Sequence, residues 1–214
     1  MKPIIIFGDG TQGQLARWYL GAHSVNTVAA LVNDDTVGDY SPKDCDMFVC
    51  LSYRDVNRNR AKKYYEMLER GFTLISFVSP YSCIFTSHIG DNCFIWENQT
   101  IQPFSKIGKV VTLCCSNHIG HHSTIGNHVF LTSHVCVSGH CVIGDYCFLG
   151  VNSSIIDGVN IAEGCVIGAG ATVTRDTEPW GVYIGTPAKR IGDSRESKYF
   201  TNTNYSAKGN REQK

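Results

Sequence analysis

The chain has few charged residues and no excess of either sign. Nineteen lysines and arginines balance nineteen aspartates and glutamates, and charged residues make up 18% of 214 positions, below the roughly 25% of an average soluble domain. A net charge of zero argues against electrostatic binding of nucleic acid or of an anionic membrane surface. The apolar run at residues 4–7 is too short for a signal peptide or a membrane span. We therefore expect a cytoplasmic protein without membrane insertion.

Metal-ligand spacing is also lacking, although the chain has ten cysteines and eight histidines. No CxxC pair occurs, Cys114 and Cys115 are adjacent, and Cys45 and Cys50 are five residues apart. Such spacings do not match known zinc or disulfide patterns. We expect reduced cysteines, as in a cytosolic protein.

A repeat of six residues dominates the second half of the chain. Every sixth residue from Ile89 to Val173 is Ile, Leu or Val, without a slip. A period of six fits neither a helix nor a free strand, and it is typical of a hexapeptide β-solenoid with eighteen-residue coils. The 91 residues from Cys83 to Val173 would make about five coils. The apolar residue fills the interior, and the glycine that often follows it is expected to relieve the corner.

Four residues after most of these apolar positions comes a small or modest side chain, and four of the cysteines occupy this slot. They are Cys93, Cys141, Cys147 and Cys165. We expect them to pack as small hydrophobes rather than act as nucleophiles.

The first 80 residues alternate between strand and helix patterns. Strands are predicted at 4–7, 27–32 and 47–51, and helices at 14–20 and 55–70. This order predicts a small parallel sheet of half-Rossmann type. The chain is thus divided into an α/β domain (1–80), a left-handed parallel β-helix (81–191) and a polar carboxy-terminal tail (192–214).

A glycine motif follows the first strand. Gly8, Gly10 and Gly13 are spaced as in a dinucleotide-binding loop, with Asp34 and Asp35 about twenty residues further on. Only about eighty residues precede the repeat, whereas a full dinucleotide fold needs two halves. This favours one nucleotide within a larger substrate over NAD, and a purely structural turn remains open.

The order of these segments along the chain resembles that of a known family. A short nucleotide-binding α/β domain, hexapeptide coils and the closing segment 185–190 (GTPAKR) are similar to the PglD-like, or sialic acid O-acetyltransferase-like, family of sugar acyltransferases. The nucleotide-linked 4-amino-sugar N-acetyltransferases are the most similar members. The resemblance covers about residues 2–191. It implies a homotrimer of the cytoplasm that uses acetyl-CoA as co-substrate, binds no cofactor and serves surface-polysaccharide (O-antigen) biosynthesis.

The resemblance implies that the catalytic base is His121, in the segment Ile119-Gly120-His121. An imidazole titrates near neutral pH and can take the proton of an attacking amine. The coil period supports this choice, because Gly139 lies eighteen residues on and would leave space above the ring. In the family the N–H at that position binds the thioester oxyanion. His122 stands where the family commonly has Glu or Asp, and we interpret it as a possible modulator that stacks on His140.

The other site residues are carried over from the family by position. The nucleotide sugar is expected at Gly8, Gly10, Gln12, Gly13, Gln14, Asn33, Asp34, Asp35, Ser52, Tyr53 and Arg54. CoA is expected at Phe130, Gly139, Val151, Gly168, Ala169, Lys189 and Arg190. Phe130 and Ala169 depart from the family, which often has histidine and glycine there.

Six histidines crowd between His118 and His140. A zinc site would need three converging imidazoles, and we expect none because their registers in the repeat differ. His134 is expected in a corner ladder between Ser116 and Asn152. The predicted function is acetyl transfer to the amino group of a nucleotide-linked 4-amino-4,6-dideoxy sugar by direct attack. O-acetylation of a sialic-acid-type sugar and a non-catalytic sugar-binding trimer are the alternatives.

Overall fold

The computed structural model describes residues 2–23 and 27–196. The α/β region is built as predicted. A parallel sheet has the order β2-β1-β3, with β1 at Ile4–Phe7, β2 at Val28–Val32 and β3 at Asp46–Val49. Helix α1 (Thr11–His23) follows β1 and helix α2 (Arg58–Glu69) follows β3, with one 3-10 turn at Val37–Asp39. Residues 197–214 of the predicted tail lie outside the described residues.

The rest of the chain is a left-handed parallel β-helix, as the repeat predicted. Sixteen two-residue strands form its coils: β4 Phe77–Val78, β5 Cys83–Ile84, β6 Phe94–Ile95, β7 Thr100–Ile101, β8 Lys106–Ile107, β9 Thr112–Leu113, β10 His118–Ile119, β11 Thr124–Ile125, β12 Phe130–Leu131, β13 Cys136–Val137, β14 Val142–Ile143, β15 Phe148–Leu149, β16 Ser154–Ile155, β17 Asn160–Ile161, β18 Val166–Ile167 and β19 Thr172–Val173. An antiparallel pair closes it, β20 at Gly181–Ile184 and β21 at Lys189–Asp193. The predicted solenoid end at 191 thus falls inside β21.

Three parallel sheets form the faces of the triangular coil. The eight-stranded sheet runs β21-β20-β18-β15-β12-β9-β6-β4, the six-stranded sheet β19-β16-β13-β10-β7-β5 and the four-stranded sheet β17-β14-β11-β8. The solenoid has about 6 turns rather than the predicted five. The extra strands, β4 and β20, pair with the coils but lie outside the unbroken apolar register from 89 to 173.

One residue of every hexad has a left-handed backbone, and it lies three positions after the apolar residue. These residues are Asn92, Asn98, Phe104, Val110, Ser116, His122, His128, His134, His140, Tyr146, Asn152, Gly158, Gly164 and Gly170. The glycines that directly follow the apolar residue have a different task. A Cβ on Gly108 would lie 2.6 Å from the Gly126 carbonyl oxygen, so glycine there permits close stacking of the coils. The expectation that it relieves the corner was wrong.

The interior is packed by the repeat itself. The large apolar residues of successive coils are buried in one cluster with Cys93, Cys141, Cys147 and Cys165. Burial raises the pKa of the Cys93 thiol to about 12 and also raises the pKa values of Cys141, Cys147 and Cys165. A thiol held protonated is a poor nucleophile, which agrees with the packing role that we predicted.

The α/β region packs on the eight-stranded sheet through polar anchors as well as apolar contacts. The Arg60 side chain is fully buried and donates to Thr112 Oγ1 (2.8 Å) and to the carbonyls of His128 and Val129 (3.3 Å each). The Asn92 side chain accepts from and donates to the Val49 backbone at 2.8 and 2.9 Å. These buried hydrogen bonds fix the position of the α/β region on the β-helix.

Within the described residues, no helix has the length and apolarity that crossing a bilayer requires.

The buried His128 gives the fold a measurable dependence on pH. Its ring is 1% exposed, lies 3.2 Å from the Tyr65 hydroxyl and stacks on Tyr146. Burial, and then the charge of Arg60, lower its pKa to about 4, although Asp145 acts in the opposite direction. The unfolded chain binds this proton near pH 6.5, so stability contributed by neutral His128 is lost as pH falls from about 6.5 to about 4.

We expect the His128→Asn variant to lose that part of the pH dependence, since Asn tolerates the left-handed backbone but does not titrate. The free energy of unfolding, measured with urea at pH 4.5 and pH 7.5, checks this. His134→Asn changes an exposed residue at the same position of another hexad and is the matched control. Its free energy of unfolding should change between pH 4.5 and pH 7.5 as much as that of the wild type. If the free energy of unfolding of His128→Asn also changed by the wild-type amount, the lowered pKa assigned to His128 would be contradicted.

Candidate active site

One edge of the β-helix carries His121, His122 and His140, and we call it the histidine corner. It consists of four stacked turns between the six-stranded and four-stranded sheets, at residues 103–104, 121–122, 139–140 and 157–158. Each turn lies eighteen residues after the previous one, so side chains at equal positions are neighbours along the corner.

His121 projects from this corner with its ring exposed. Its backbone N–H donates to Gln102 Oε1 at 2.8 Å, and its ring lies against Gly139. A Cβ on Gly139 would be 2.7 Å from His121 Cε1 and 3.0 Å from Nε2. The structure thus brings together the two residues that the eighteen-residue step paired. Gln102 was not predicted, and its place directly before the 103–104 turn was the available signal.

The Gly139 N–H does not point freely to solvent. It donates to Asp157 Oδ1 at 3.0 Å, so an oxyanion can receive this hydrogen bond only when the Asp157 carboxylate turns away. Asp157 lies eighteen residues after Gly139. The same eighteen-residue step that leads from His121 to Gly139 leads on to Asp157, a neighbour that was not predicted.

Three imidazoles converge at the corner. His122 and His140 stack with ring centroids 4.9 Å apart and planes 15° apart, as predicted. His121 Nδ1 lies 3.2 Å from His122 Nδ1, and one nitrogen from each of the three rings lies within 4.8 Å of the others. The expectation that differing registers keep the imidazoles apart was wrong. The left-handed backbone at His122 turns its ring along the corner, beside its neighbour His121.

The glycine loop of the α/β region is shaped by close packing. A Cβ on Gly13 would lie 1.7 Å from the Gly8 carbonyl oxygen, and a Cβ on Gly8 would lie 2.4 Å from the Cys50 carbonyl oxygen. These two glycines let α1 begin directly against the ends of β1 and β3. A Cβ on Gly10 would meet no atom within 4 Å, so the backbone there is open to a bound group.

The predicted nucleotide residues gather where β1 and β2 end. Gln12 lies in the first turn of α1, and its carbonyl accepts from the Cys50 thiol at 3.2 Å. The Gln14 N–H donates to the Gly10 carbonyl at 3.0 Å. Asn33 Nδ2 donates to Asp9 Oδ2 at 2.9 Å and ties the loops after β1 and β2 together.

The two predicted acids of this loop differ in their surroundings. Asp34 forms a salt bridge with Lys63 at 2.5 Å, so its carboxylate is already engaged, whereas Asp35 is exposed. Ser52 and Arg54 follow β3 together with Tyr53, at the same edge of the sheet.

Comparison with known proteins supports the fold and the repeat. Residues 140–175 match the family model described as bacterial transferase hexapeptide (six repeats). PerB from Caulobacter crescentus, solved with CoA and GDP-perosamine, matches with a TM-score of 0.81 at 25% identity, over 90% of this chain and 98% of that one. The acetyltransferase domain of PglB from Neisseria gonorrhoeae, solved with acetyl coenzyme A, matches at 0.79 and 18% identity, over 89% and 99%. WeeI from Acinetobacter baumannii matches at 0.71 and 19% identity, over 89% and 100%.

The matched repeat and the shared fold agree with a hexapeptide-repeat acyltransferase. The predicted resemblance to the PglD-like sugar acyltransferases is therefore confirmed. The matches extend through both the α/β region and the β-helix, since they cover about nine-tenths of the chain.

One predicted CoA contact is placed differently. Phe130 is 2% exposed and lies in β12 of the eight-stranded sheet, beneath the α/β region. Its ring centroid is 5.2 Å from that of Tyr53, and the Arg60 guanidinium lies 5.4 Å from it. Tyr53, predicted at the nucleotide, also packs on Phe148 at 4.8 Å. The covering region buries this aromatic cluster, so in this conformation Phe130 acts in packing and has no open surface for CoA.

Apart from Gly139, the other predicted CoA residues lie away from the histidine corner of the same chain. Val151 and Ala169 are exposed at the corner between the eight-stranded and six-stranded sheets. Gly168 precedes Ala169 and packs against Ile184. Lys189 is exposed in β21, and Arg190 lies 3.7 Å from Glu178 in an ion pair.

We expect Phe130→Ala to lower the free energy of unfolding by about 3–5 kcal/mol, the usual cost of removing a buried aromatic ring. Val151→Ala, at a side chain that is 42% exposed, should change it by less than about 0.5 kcal/mol. Urea denaturation of both variants measures the difference. If Phe130→Ala instead left stability unchanged, the buried position of this ring would be contradicted.

Proposed function

We propose that the protein is an N-acetyltransferase that moves the acetyl group of acetyl-CoA to the amino group of a nucleotide-linked sugar, a 4-amino-4,6-dideoxy sugar. The observation that carries this proposal is the exposed His121 ring lying against Gly139. Supporting it, the fold is shared over 90% of the chain with a protein solved with CoA and GDP-perosamine.

The proposed reaction needs one base. The sugar amine attacks the thioester carbonyl, a C–N bond forms, and the C–S bond breaks to release CoA as the thiol. The nitrogen loses one proton in this step, and His121 accepts it, since neutral imidazole is a base suited to neutral pH. The proton then passes to the leaving sulfur or to solvent. No acyl-enzyme forms, in keeping with the buried cysteines of the β-helix.

The oxyanion of the tetrahedral intermediate is proposed to receive the Gly139 N–H. A preorganised backbone donor stabilises such a charge by a few kcal/mol. Asp157 accepts from this N–H at 3.0 Å, and we propose that its carboxylate rotates away when the thioester carbonyl enters. The carboxylate would otherwise repel the developing negative charge.

The rest of the site is proposed to be completed between copies of the chain. The histidine corner lies across the β-helix from the eight-stranded sheet that carries the α/β region, and Val151 lies at a further corner. A homotrimer would place one copy's histidine corner beside another copy's loops. We propose that residues 1–80 bind the nucleotide sugar, at the ends of β1, β2 and β3, and residues 81–191 bind CoA.

We propose a cytoplasmic location, where acetyl-CoA is available and the ten free cysteines of the chain remain reduced. A role in surface-polysaccharide biosynthesis follows from the proposed substrate.

The test of this proposal is thiol release from acetyl-CoA with UDP-, dTDP- and GDP-linked amino sugars. We expect release with an amino sugar and none with the matching hydroxyl sugar. Release only with a hydroxyl sugar, such as a sialic acid, would instead support O-acetylation. Release with neither would support the non-catalytic alternative.

His121→Asn should reduce kcat by about a hundredfold or more, the usual contribution of a general base. His23→Asn, at the end of α1 and outside the residues proposed to bind either substrate, is the control and should retain the wild-type rate. Undiminished turnover in His121→Asn would remove this residue from its assigned role.

Gly139→Ala tests the space above His121. The new Cβ would lie 2.7 Å from the His121 ring, so the imidazole must rotate out of place, and we expect kcat to fall at least tenfold. Gly38→Ala, where a Cβ meets no atom within 4 Å, should have no effect. Circular dichroism and the melting temperature verify that both variants fold. Full activity of Gly139→Ala would show that this ring position is not required.

A further inference from the structure

We propose that His121, His122 and His140 bind one divalent transition-metal ion of the Zn²⁺ type, and that this ion inhibits the acyltransferase. The binding part is independent of the proposed function, whereas the inhibition rests on His121 acting as the base. Nothing else in the described part of the chain brings three such ligands together.

The nitrogen spacing suits a shared ion. Zinc binds imidazole nitrogen at 2.0–2.1 Å, so two nitrogens on one tetrahedral ion lie about 3.4 Å apart. His121 Nδ1 and His122 Nδ1 are 3.2 Å apart, which already meets this requirement. The three ligand atoms all lie within 4.8 Å of one another. Rotation of the exposed His140 side chain that moves its ring nitrogen by roughly 1 Å closes the remaining gap.

Neighbouring groups hold these rings near the required places. Phe104 packs on the His122 ring at 4.7 Å between centroids, and the stacking of His122 on His140 orients the second and third ligands. The backbone of His121 is held by Gln102 Oε1 at 2.8 Å. Prearranged ligands lose less conformational entropy on binding than free side chains do.

The ligand chemistry selects the kind of ion. Three imidazoles suit zinc, cobalt, nickel or copper, whereas magnesium and calcium require oxygen ligands. Three protein ligands leave a fourth position for water. Metal bound at His121 Nδ1 leaves the single ring proton on Nε2. Nε2 then has no free lone pair to accept the proton of the amine, so occupation of the site blocks the proposed base.

The test is titration of the metal-free full-length protein with Co²⁺, followed by visible absorption, and with Zn²⁺, followed by calorimetry. We expect one ion per chain, with the intense visible bands of tetrahedral cobalt. His122→Asn and His140→Asn remove ligands while keeping a residue suited to the left-handed backbone, and each should weaken binding by about tenfold or more. His134→Asn is the matched control, because it changes an exposed histidine at the same hexad position of another corner.

If an ion binds, two results would show that it does not lie at the three histidines. One is equal affinity in the wild type and in both ligand variants. The other is a thiolate-to-cobalt charge-transfer band in the near ultraviolet, which would assign the ion to accessible cysteines such as Cys83.

The inhibition is measured separately, as thiol release with and without saturating Zn²⁺, each variant being compared with its own metal-free rate. We expect zinc to inhibit the wild type and the His134→Asn control, and to inhibit His140→Asn only at about tenfold higher concentration or more. Binding at the three histidines without inhibition would overturn the inhibitory role and count against His121 as the base. Absence of binding would overturn the metal site alone and leave the proposed function intact.

Discussion

Stacking of one coil on the next, at a step of eighteen residues, is the constraint on which the β-helix depends. Parallel pairing gives each strand residue a partner one coil away, as His118 has in Cys136 and Thr124 has in Val142. This spacing of eighteen residues is kept only if the chain makes the same turn after every strand. One residue with left-handed backbone in each hexad provides that turn. Left-handed backbone costs a non-glycine residue about 1 kcal/mol or more, and the closed ladder of backbone hydrogen bonds offsets this cost.

The arrangement of the faces determines which surfaces remain available for chemistry. The α/β region covers the eight-stranded sheet, where Arg60 is buried and its hydrogen bonds satisfy carbonyls that the covered coil presents. A buried guanidinium loses solvation, which lowers the pKa of Arg60 to about 10, but it remains charged at neutral pH. The histidine corner lies on the opposite edge and stays exposed. Covering one face with the α/β region therefore leaves the imidazoles accessible to other molecules.

Period and composition were enough to predict the coils, the buried cysteines and the pairing of His121 with Gly139, because these depend only on positions in the repeat. The same period of eighteen residues also leads to Asp157, which lies one coil beyond Gly139. Phe130 could not be placed from the sequence. Its burial results from packing of α2 and the Tyr53 loop, and these long-range contacts leave no periodic signal. The three imidazoles converge because the backbone at His122 is left-handed. The identity of the residue alone does not predict that conformation.

His122 stands where the resemblance to the sugar acyltransferases implies Glu or Asp, and this difference changes how the neighbouring ring is held. A carboxylate at this position would accept a hydrogen bond from His121 Nδ1 and add a negative charge. His122 presents Nδ1 at 3.2 Å instead, and a neutral imidazole pair can form that bond if one ring donates and the other accepts. His121 Nε2 then remains on the side facing Gly139, where a substrate proton would arrive. The ring is thus oriented without a fixed anion beside it, and the same exchange of acid for imidazole is what gives the corner three nitrogen ligands.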